Sequence, residues 1–315
     1  MINYDIDQIS EKLKTEKEFR ILYHKRPDGD TICCSFALAL ALRLIGARCE
    51  VAGSDSIPDI YRYMTDRFPN DTVVSPITVS VDASAPNRLG SLQNERIDIC
   101  IDHHMNNTID APLKLVDSEA AACAEVLYTL LLNMNIEISK DIANLLYTAI
   151  VTDSNCFRSR DLRPETMHIA AALAYLGADI SAIARRHYLT KSPKRIAIEN
   201  ILFSSFRYFC GEKVVCGTIK LSDLDKAGIK DNELEGINSL VEQIEGAEIG
   251  VVIRELPDGR SRISVRTSDN YSADKICAKI GGGGHEHAAG AELDESPDEA
   301  ISIMKKICTD AITEK

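Results

Sequence analysis

Ile21-Leu22-Tyr23-His24-Lys25-Arg26-Pro27-Asp28-Gly29-Asp30 reads as a β-strand running into a tight turn, with the apolar stretch Thr31 to Ile45 following as a buried helix closed by Gly46. A strand, an acidic turn and a helix in that order are the start of an α/β layer. Three further acid-bearing segments have a related setting. Asp82 follows the apolar run Ile77 to Val81, Asp102-His103-His104 follows Arg96 to Ile101, and Asp153 lies at the end of a helical stretch from Lys140 to Val151 opened by Ser139. Parallel sheets bind ligands outside the carboxyl ends of their strands, so these segments are expected to converge at one sheet edge, with Asp82 between the first and third.

Around these segments the pattern is one of alternation. Ile6, Ile9 and Leu13 fit a short first helix, and Arg48 to Val51 a second strand. Glu119 to Leu132, the run from Pro164 to Leu176, and Ile180 to about Arg186 are expected as helices. The fold class is therefore α/β, a parallel sheet with helices on both faces, followed by a smaller α+β domain. The expected boundaries are 1–188 for the first domain, 189–208 for a linker and connecting helix, and 209–315 for the second. In the second part Val214 to Ile219, Ile249 to Arg254 and Ile263 to Arg266 read as strands, the last two joined by Pro257-Asp258-Gly259. Ser272 to Ile280 reads as a helix, and a last helix opens at Ser296-Pro297.

Composition narrows the function classes. The 315 residues carry a net charge of −12, which disfavours long duplex nucleic acid, because that binding relies on many cationic contacts to phosphate. A small anion held by a few arginines and metal ions is not disfavoured. Trp is absent and aromatics are 5%, so an extended base-stacking groove is not expected. The ten cysteines are scattered without a CxxC pair, as buried free thiols of a reducing compartment would be. No stretch resembles a signal peptide or a membrane span, and the expected location is cytoplasmic.

The chemistry of each segment has a bland alternative. Asp28 and Asp30, at alternate positions of a turn, can face two metal ions or can cap the helix that follows; His24, at the strand end just before, favours ligation. Asp82 alone is an ordinary turn residue, and Asp153 alone a solvated helix end. Of His103 and His104, one can bind metal and the other contact substrate, with Asp102 fixing the tautomer of a ligating histidine. Gly281-Gly282-Gly283-Gly284-His285 allows close backbone approach to a phosphate or is simply a flexible loop. His285 and Arg266 favour the anion pocket. Mixed carboxylate and imidazole donors suit Mn²⁺, with Mg²⁺ or Co²⁺ as alternatives. Two such ions about 3.5–4 Å apart would need no separate general base.

The motifs HxxPDGD, a lone Asp after a strand, DHH, a further Asp and GGGGHxxAAG, in this order, resemble those of the DHH phosphoesterase superfamily with its C-terminal DHH-associated domain. The length and domain pair are most similar to the short oligoribonuclease and PAP phosphatase type, where PAP is 3′-phosphoadenosine 5′-phosphate. The resemblance implies that His24, Asp28 and Asp82 hold one Mn²⁺, and that Asp30, Asp82, His103 and Asp153 hold the other. Asp82, Asp102, His103 and His104 would be catalytic, with His104 facing the scissile phosphate. Arg158, Arg266, Gly282, Gly283, Gly284 and His285 would contact substrate. One departure is visible: the family often has Asp-Thr-Gly where this chain has Asp153-Ser154-Asn155, and Asn tolerates the left-handed backbone that Gly allows.

The expected activity is Mn²⁺-dependent hydrolysis of short RNA to mononucleotides, and of PAP to AMP. The alternatives are a linear or cyclic dinucleotide phosphodiesterase of the pApA type and a RecJ-like single-strand exonuclease. The expected partners are short oligonucleotides or small nucleotides, with no membrane; a homodimer is left open.

Overall fold

The computed structural model describes residues 6–159, 162–230, 233–234 and 236–314. The chain divides into two compact units, Met1–Thr190 and Lys191–Lys315.

In the first unit, β1 (Glu18–Leu22), β2 (Arg48–Ala52), β3 (Ile77–Val81), β4 (Ile99–Asp102) and β5 (Leu113–Val116) form one parallel sheet in the order β2-β1-β3-β4-β5. β1, β3 and β4 are adjacent, so the residues just after them share an edge. Alternation along each strand sorts the side chains. Phe19, Ile21, Val79, Val81, Ile99 and Ile101 point into the main core, while Leu22 and Cys100 enter a smaller cluster on the other side. The main core is closed by α1 (Ile6–Thr15), α2 (Gly29–Leu44), α4 (Cys123–Asn133) and α5 (Lys140–Asp153). α2 is apolar all round, as a helix enclosed on every side must be. A 3₁₀ helix, Pro86–Leu92, contributes Leu89 and Leu92 to the smaller cluster.

β5 and α3 (Asp59–Thr65) have no counterpart in the sequence reading. β5 is four residues with one buried side chain, too short for a period to show. After α5 come α6 (Pro164–Tyr175), α7 (Ile180–Ala184) and a π-helical turn, Arg185–Leu189.

The second unit opens with α8 (Pro193–Ser204), shorter than the helix expected to run to Tyr208: Arg207–Phe209 is instead the edge strand β6. A mixed sheet follows in the order β10-β11-β9-β8-β7-β6, with β7 (Val214–Ile219), β8 (Ile249–Glu255), β9 (Ser261–Thr267), β10 (Gly283–Gly284) and β11 (Ala288–Leu293). α9 (Leu221–Ala227) and the 3₁₀ helix Ile237–Gln243 pack on one apolar cluster. α10 (Ala273–Ala278) and α11 (Pro297–Thr313) pack on the other. β11 is another element the sequence reading lacks; its Ala-Ala-Gly-Ala start carries no strand signature.

Candidate metal centre

The four acidic segments meet at the carboxyl edge of the first sheet. Three overlapping sets of donor atoms each lie within 4.8 Å of one another: His24, Asp28 and Asp82; Asp82, His103 and His104; and Asp30, His103 and Asp153. Asp82 is common to the first two sets and His103 to the last two.

Local geometry explains the meeting. Asp82 continues β3 and donates its backbone N–H to Ile101 O at 2.9 Å, but its φ of 55° then turns the chain sharply. That left-handed backbone is costly for most side chains and tolerated by Asp. Gly29 brings the first segment against the fourth. A Cβ there would lie 2.2 Å from Thr152 Oγ1, so only glycine lets the start of α2 reach the end of α5, where Asp153 sits. After Asp153 three consecutive residues, Asn155, Cys156 and Phe157, have left-handed backbone, with φ of 48°, 58° and 59°. Asn155 thus takes the conformation that a glycine would take there, and the two residues after it share the strain.

The aspartates of the first turn divide their work differently from the expected alternatives. Asp28 is the N-cap of α2, accepting from Thr31 N at 3.2 Å while its other oxygen lies 3.5 Å from His24 Nε2. Asp30 caps no part of its own helix. It accepts from Cys123 N at 2.6 Å and Ala124 N at 3.2 Å, so it sits on the N-terminus of α4.

Two imidazoles turn a nitrogen of fixed identity toward the carboxylates. His24 Nδ1 donates to Lys25 O at 2.9 Å, and His103 Nδ1 to Ala120 O at 3.0 Å. Each leaves Nε2 facing the carboxylates, which is how a backbone carbonyl orients a metal-binding histidine. His103 Nε2 lies 3.4 Å from Asp82 Oδ1, 3.5 Å from Asp153 Oδ2 and 3.9 Å from Asp30 Oδ2. Asp82 Oδ1 itself is buried with no hydrogen-bond partner. An orphaned buried carboxylate oxygen is expensive unless a cation or proton satisfies it. The donor set therefore fits divalent cations.

Protonation without an ion agrees with this. Burial pushes Asp30 well above the ordinary carboxylate range, helped by the charges of Asp82 and Asp153. Burial likewise raises Asp153 to about 7, against the pull of His103. For His24 burial works downward, but the Asp28 and Asp82 carboxylates facing its Nε2 outweigh it and lift it to about 10. His103, also pulled down by burial, is raised to about 11 by the Asp82 carboxylate facing it and the charges of Asp30 and Asp153. Crowded carboxylates thus retain or recruit protons that a cation would displace.

Asp102 stands behind this cluster. It is fully buried, accepts from His104 Nδ1 at 2.7 Å and from Asn107 Nδ2 at 2.5 Å, and so orients His104 rather than His103. Arg158 is turned back onto its own loop, donating to Asn155 O at 2.8 Å and Asn155 Oδ1 at 3.0 Å.

In the second unit, Arg266 lies on β9 opposite Ala288 of β11, and the glycine run pairs with β11 through Gly283 and Gly284. The glycines are required largely by packing. A Cβ on Gly282 would meet Gly290 O at 2.4 Å, and one on Gly284 would meet Ala288 O at 2.7 Å. Gly284 N already donates to Asp274 Oδ1 at 2.9 Å. His285 is exposed at the turn into β11, where its backbone N–H bonds Ala288 O at 2.9 Å.

Two site neighbours are absent from the sequence reading. Arg88, in the 3₁₀ helix after β3, brings Nη2 to 3.3 Å from His24 Nε2. Asn107 bridges Asp102 and Ala83 O. The available signal is position alone: polar residues in loops just beyond a strand that ends in the cluster.

The carboxylate and imidazole cluster at the sheet edge, in a chain with a mixed second sheet, is that of a metal-dependent hydrolase of phosphoester bonds. The chain carries a DHH domain and a DHHA1 domain: residues 18–150 match the model of the DHH family, N-terminal domain, and residues 211–310 that of the DHHA1 domain. It is similar to a Thermus thermophilus protein named bifunctional oligoribonuclease and PAP phosphatase NrnA, with 26% identity over 314 residues covering 96% of this chain and 94% of that one. A Mycoplasma genitalium protein of the same name is 26% identical over 321 residues, covering 95% and 98%. Among solved structures, an exopolyphosphatase-related protein from Bacteroides fragilis superposes with a TM-score of 0.84 at 22% identity, over 96% of this chain and 95% of that one, which shows a shared fold.

Proposed function

We propose that this chain hydrolyses short oligoribonucleotides to mononucleotides, and 3′-phosphoadenosine 5′-phosphate to AMP, with two Mn²⁺ ions. The observation that carries the reading is the Asp82 carboxylate, whose unsatisfied, buried Oδ1 lies 3.4 Å from His103 Nε2 while its Oδ2 lies 3.6 Å from His24 Nε2. His24, Asp28 and Asp82 would hold one ion; Asp30, Asp82, His103 and Asp153 the other. The relatives' names support the substrate class. The net charge of −12 supports small substrates over long duplexes, and ten free cysteines support a reducing, cytoplasmic setting.

When bound, such ions supply charge neutralisation at a phosphoryl oxygen and activation of water. The chain's own residues supply orientation and a proton. The hydrogen bond to Asp102 raises His104 above its ordinary range, so the ring is biased toward the protonated form and Nε2–H is left to donate. From that position His104 would donate to an oxygen of the scissile phosphate or to the leaving group. Arg266, His285 and the backbone of Gly282, Gly283 and Gly284 would contact the substrate's terminal phosphate, with Arg158 as a further contact.

The test is an assay of di- to pentaribonucleotides, PAP, pApA and a long single strand with Mn²⁺, Mg²⁺, Co²⁺ or chelator. Mn²⁺-dependent release of mononucleotide from the shortest RNAs is expected. No metal-dependent release from any of them would overturn the proposal, and a kcat/KM led by pApA or by the long strand would reassign the substrate.

A further inference from the structure

A cavity of about 680 Å³ opens in the first unit among α3, α5, α7 and the π-helical turn. Its Lys140 end is set apart from the metal centre: Lys140 is the first residue of α5 and Asp153 the last, and the fourteen residues of that helix span roughly 20 Å. The far end of the π-helical turn returns to α5, where Tyr188 Oη donates to Val151 O at 2.8 Å. One part of the wall is apolar, formed by Ile60, Met64 and Ile183. The other carries four cations, Arg67, Lys140, Arg185 and Arg186. The single acid in the wall, Asp179, is occupied as the N-cap of α7, accepting from Ala182 N at 3.0 Å. Such an excess is the reverse of the chain's overall charge of −12.

Two of the cations have duties of their own. Arg67 pairs with Asp141 at 2.5 Å, and the Arg186 guanidinium lies 3.7 Å above the Tyr63 ring. Lys140 and Arg185 are exposed and have no ion pair among the described residues. Arg185 and Arg186 open the π-helical turn Arg185–Leu189, a rare geometry concentrated at functional sites. A concave site of this size, apolar on one side and cationic on the other, fits a ligand with a flat body and a phosphate head.

We propose that this cavity is a second ligand site, for a nucleoside monophosphate, with Lys140 and Arg185 on the phosphate and Ile60 and Met64 against the nucleoside. The inference shares with the reaction proposed above only its product, AMP, as a probe; Lys140 and Arg185 lie outside the residues assigned to that reaction, and the test contains neither metal nor substrate.

The full chain in chelator is titrated with AMP, adenosine and inorganic phosphate by calorimetry. AMP binding is expected, weakened about tenfold or more by Lys140→Glu and by Arg185→Glu, which each remove a charge-assisted contact. Adenosine and phosphate alone should bind more weakly than AMP. AMP should also slow acetylation of Lys140 relative to Lys12, read by mass spectrometry on the unsubstituted chain, where folding of a variant does not enter. Isotherms unchanged in both variants, or a Lys140 that AMP does not protect, overturn the site. Phosphate binding as tightly as AMP overturns its assignment to a nucleotide.

Discussion

His104 Nδ1 donates to Asp102 Oδ1 at 2.7 Å, so the first residue of the Asp-His-His triplet aims the third, while the second is held by the Ala120 carbonyl. Both Asp102 oxygens are engaged, the other by Asn107, which leaves this carboxylate no role as a ligand. Asp102→Asn should lower kcat about 10–100-fold by releasing the ring it orients, with bound metal and KM nearly kept. Steady-state kinetics and elemental analysis of the variant check this. Loss of a metal equivalent would make Asp102 a ligand instead.

Asp82→Asn should weaken both forms of the protein. Without metal it removes the anionic partner that holds His24 and His103 protonated, at a φ of 55° that Asn tolerates, so the chelated variant should melt below the chelated parent. With Mn²⁺ at a hundred times its Kd, binding stabilises the parent by about 2.7 kcal/mol per site. The variant should lose most of that gain and its activity. Melting curves with and without Mn²⁺ decide; an undiminished Mn²⁺ shift would remove Asp82 from the ligand set.

The metal-free protein should lose stability as pH rises. Asp153, raised to about 7, binds a proton in the folded chain that the unfolded chain has released above about 4. His24, raised to about 10, contributes stability that is complete below about 6.5 and lost as pH rises through 10. Both signs agree. Melting temperature in chelator should therefore fall between pH 5 and 9, and Mn²⁺ affinity should rise with pH as protons leave the site, each about these bounds. A melting temperature in chelator that climbs across this range would contradict the charge arrangement described.

Glu125 is buried on α4 and accepts from Arg163, from Thr166 Oγ1 at 2.7 Å and from Ala121 N at 3.1 Å. It ties the start of α6 to α4. Glu125→Ala takes the acceptor from Thr166 Oγ1 and Ala121 N and leaves Arg163 with Asp117 alone, and should cost about 3 kcal/mol in urea unfolding, as breaking a buried pair does. Arg163→Met should cost less, because Arg163 is partly exposed and its loss leaves Glu125 two other donors. Equal costs would mean that the ion pair alone matters.

The glycine run should divide by position. Gly282→Ala drives a methyl into the Gly290 carbonyl and Ala291 and should destabilise the second unit by about 1–3 kcal/mol. At Gly283 the nearest atom to a Cβ is Asp274 Oδ1 at 3.4 Å, so Gly283→Ala should fold normally. A raised KM in that folded variant would support close approach of substrate to this backbone; an unchanged KM would leave the run a packing feature.

The strands and helices that position the cluster were legible because each couples a strong local signal to one of its carboxylates or imidazoles. Apolar runs of strand length end at His24, Asp82 and Asp102, and Ser139 caps the helix that ends at Asp153. Less was legible where the signal is weak or distributed. β5 and β11 are short or alanine-rich, and α8 ends at Ser204 because Arg207–Phe209 pairs with β7, a choice made by the partner strand rather than by helical propensity. Arg88 and Asn107 carry no motif and acquire meaning only from what stands beside them.

The order of apolar runs and acids along the chain determined by itself that a parallel sheet would gather carboxylates and imidazoles at one edge, because side-chain period and strand direction are local properties. Tertiary structure alone decided the partners: Asp30 on the N-terminus of α4, Asp102 behind His104 rather than His103, and the glycine carbons against β11. Those pairings join residues up to 94 positions apart. They follow from how helices and strands pack, which no local pattern encodes.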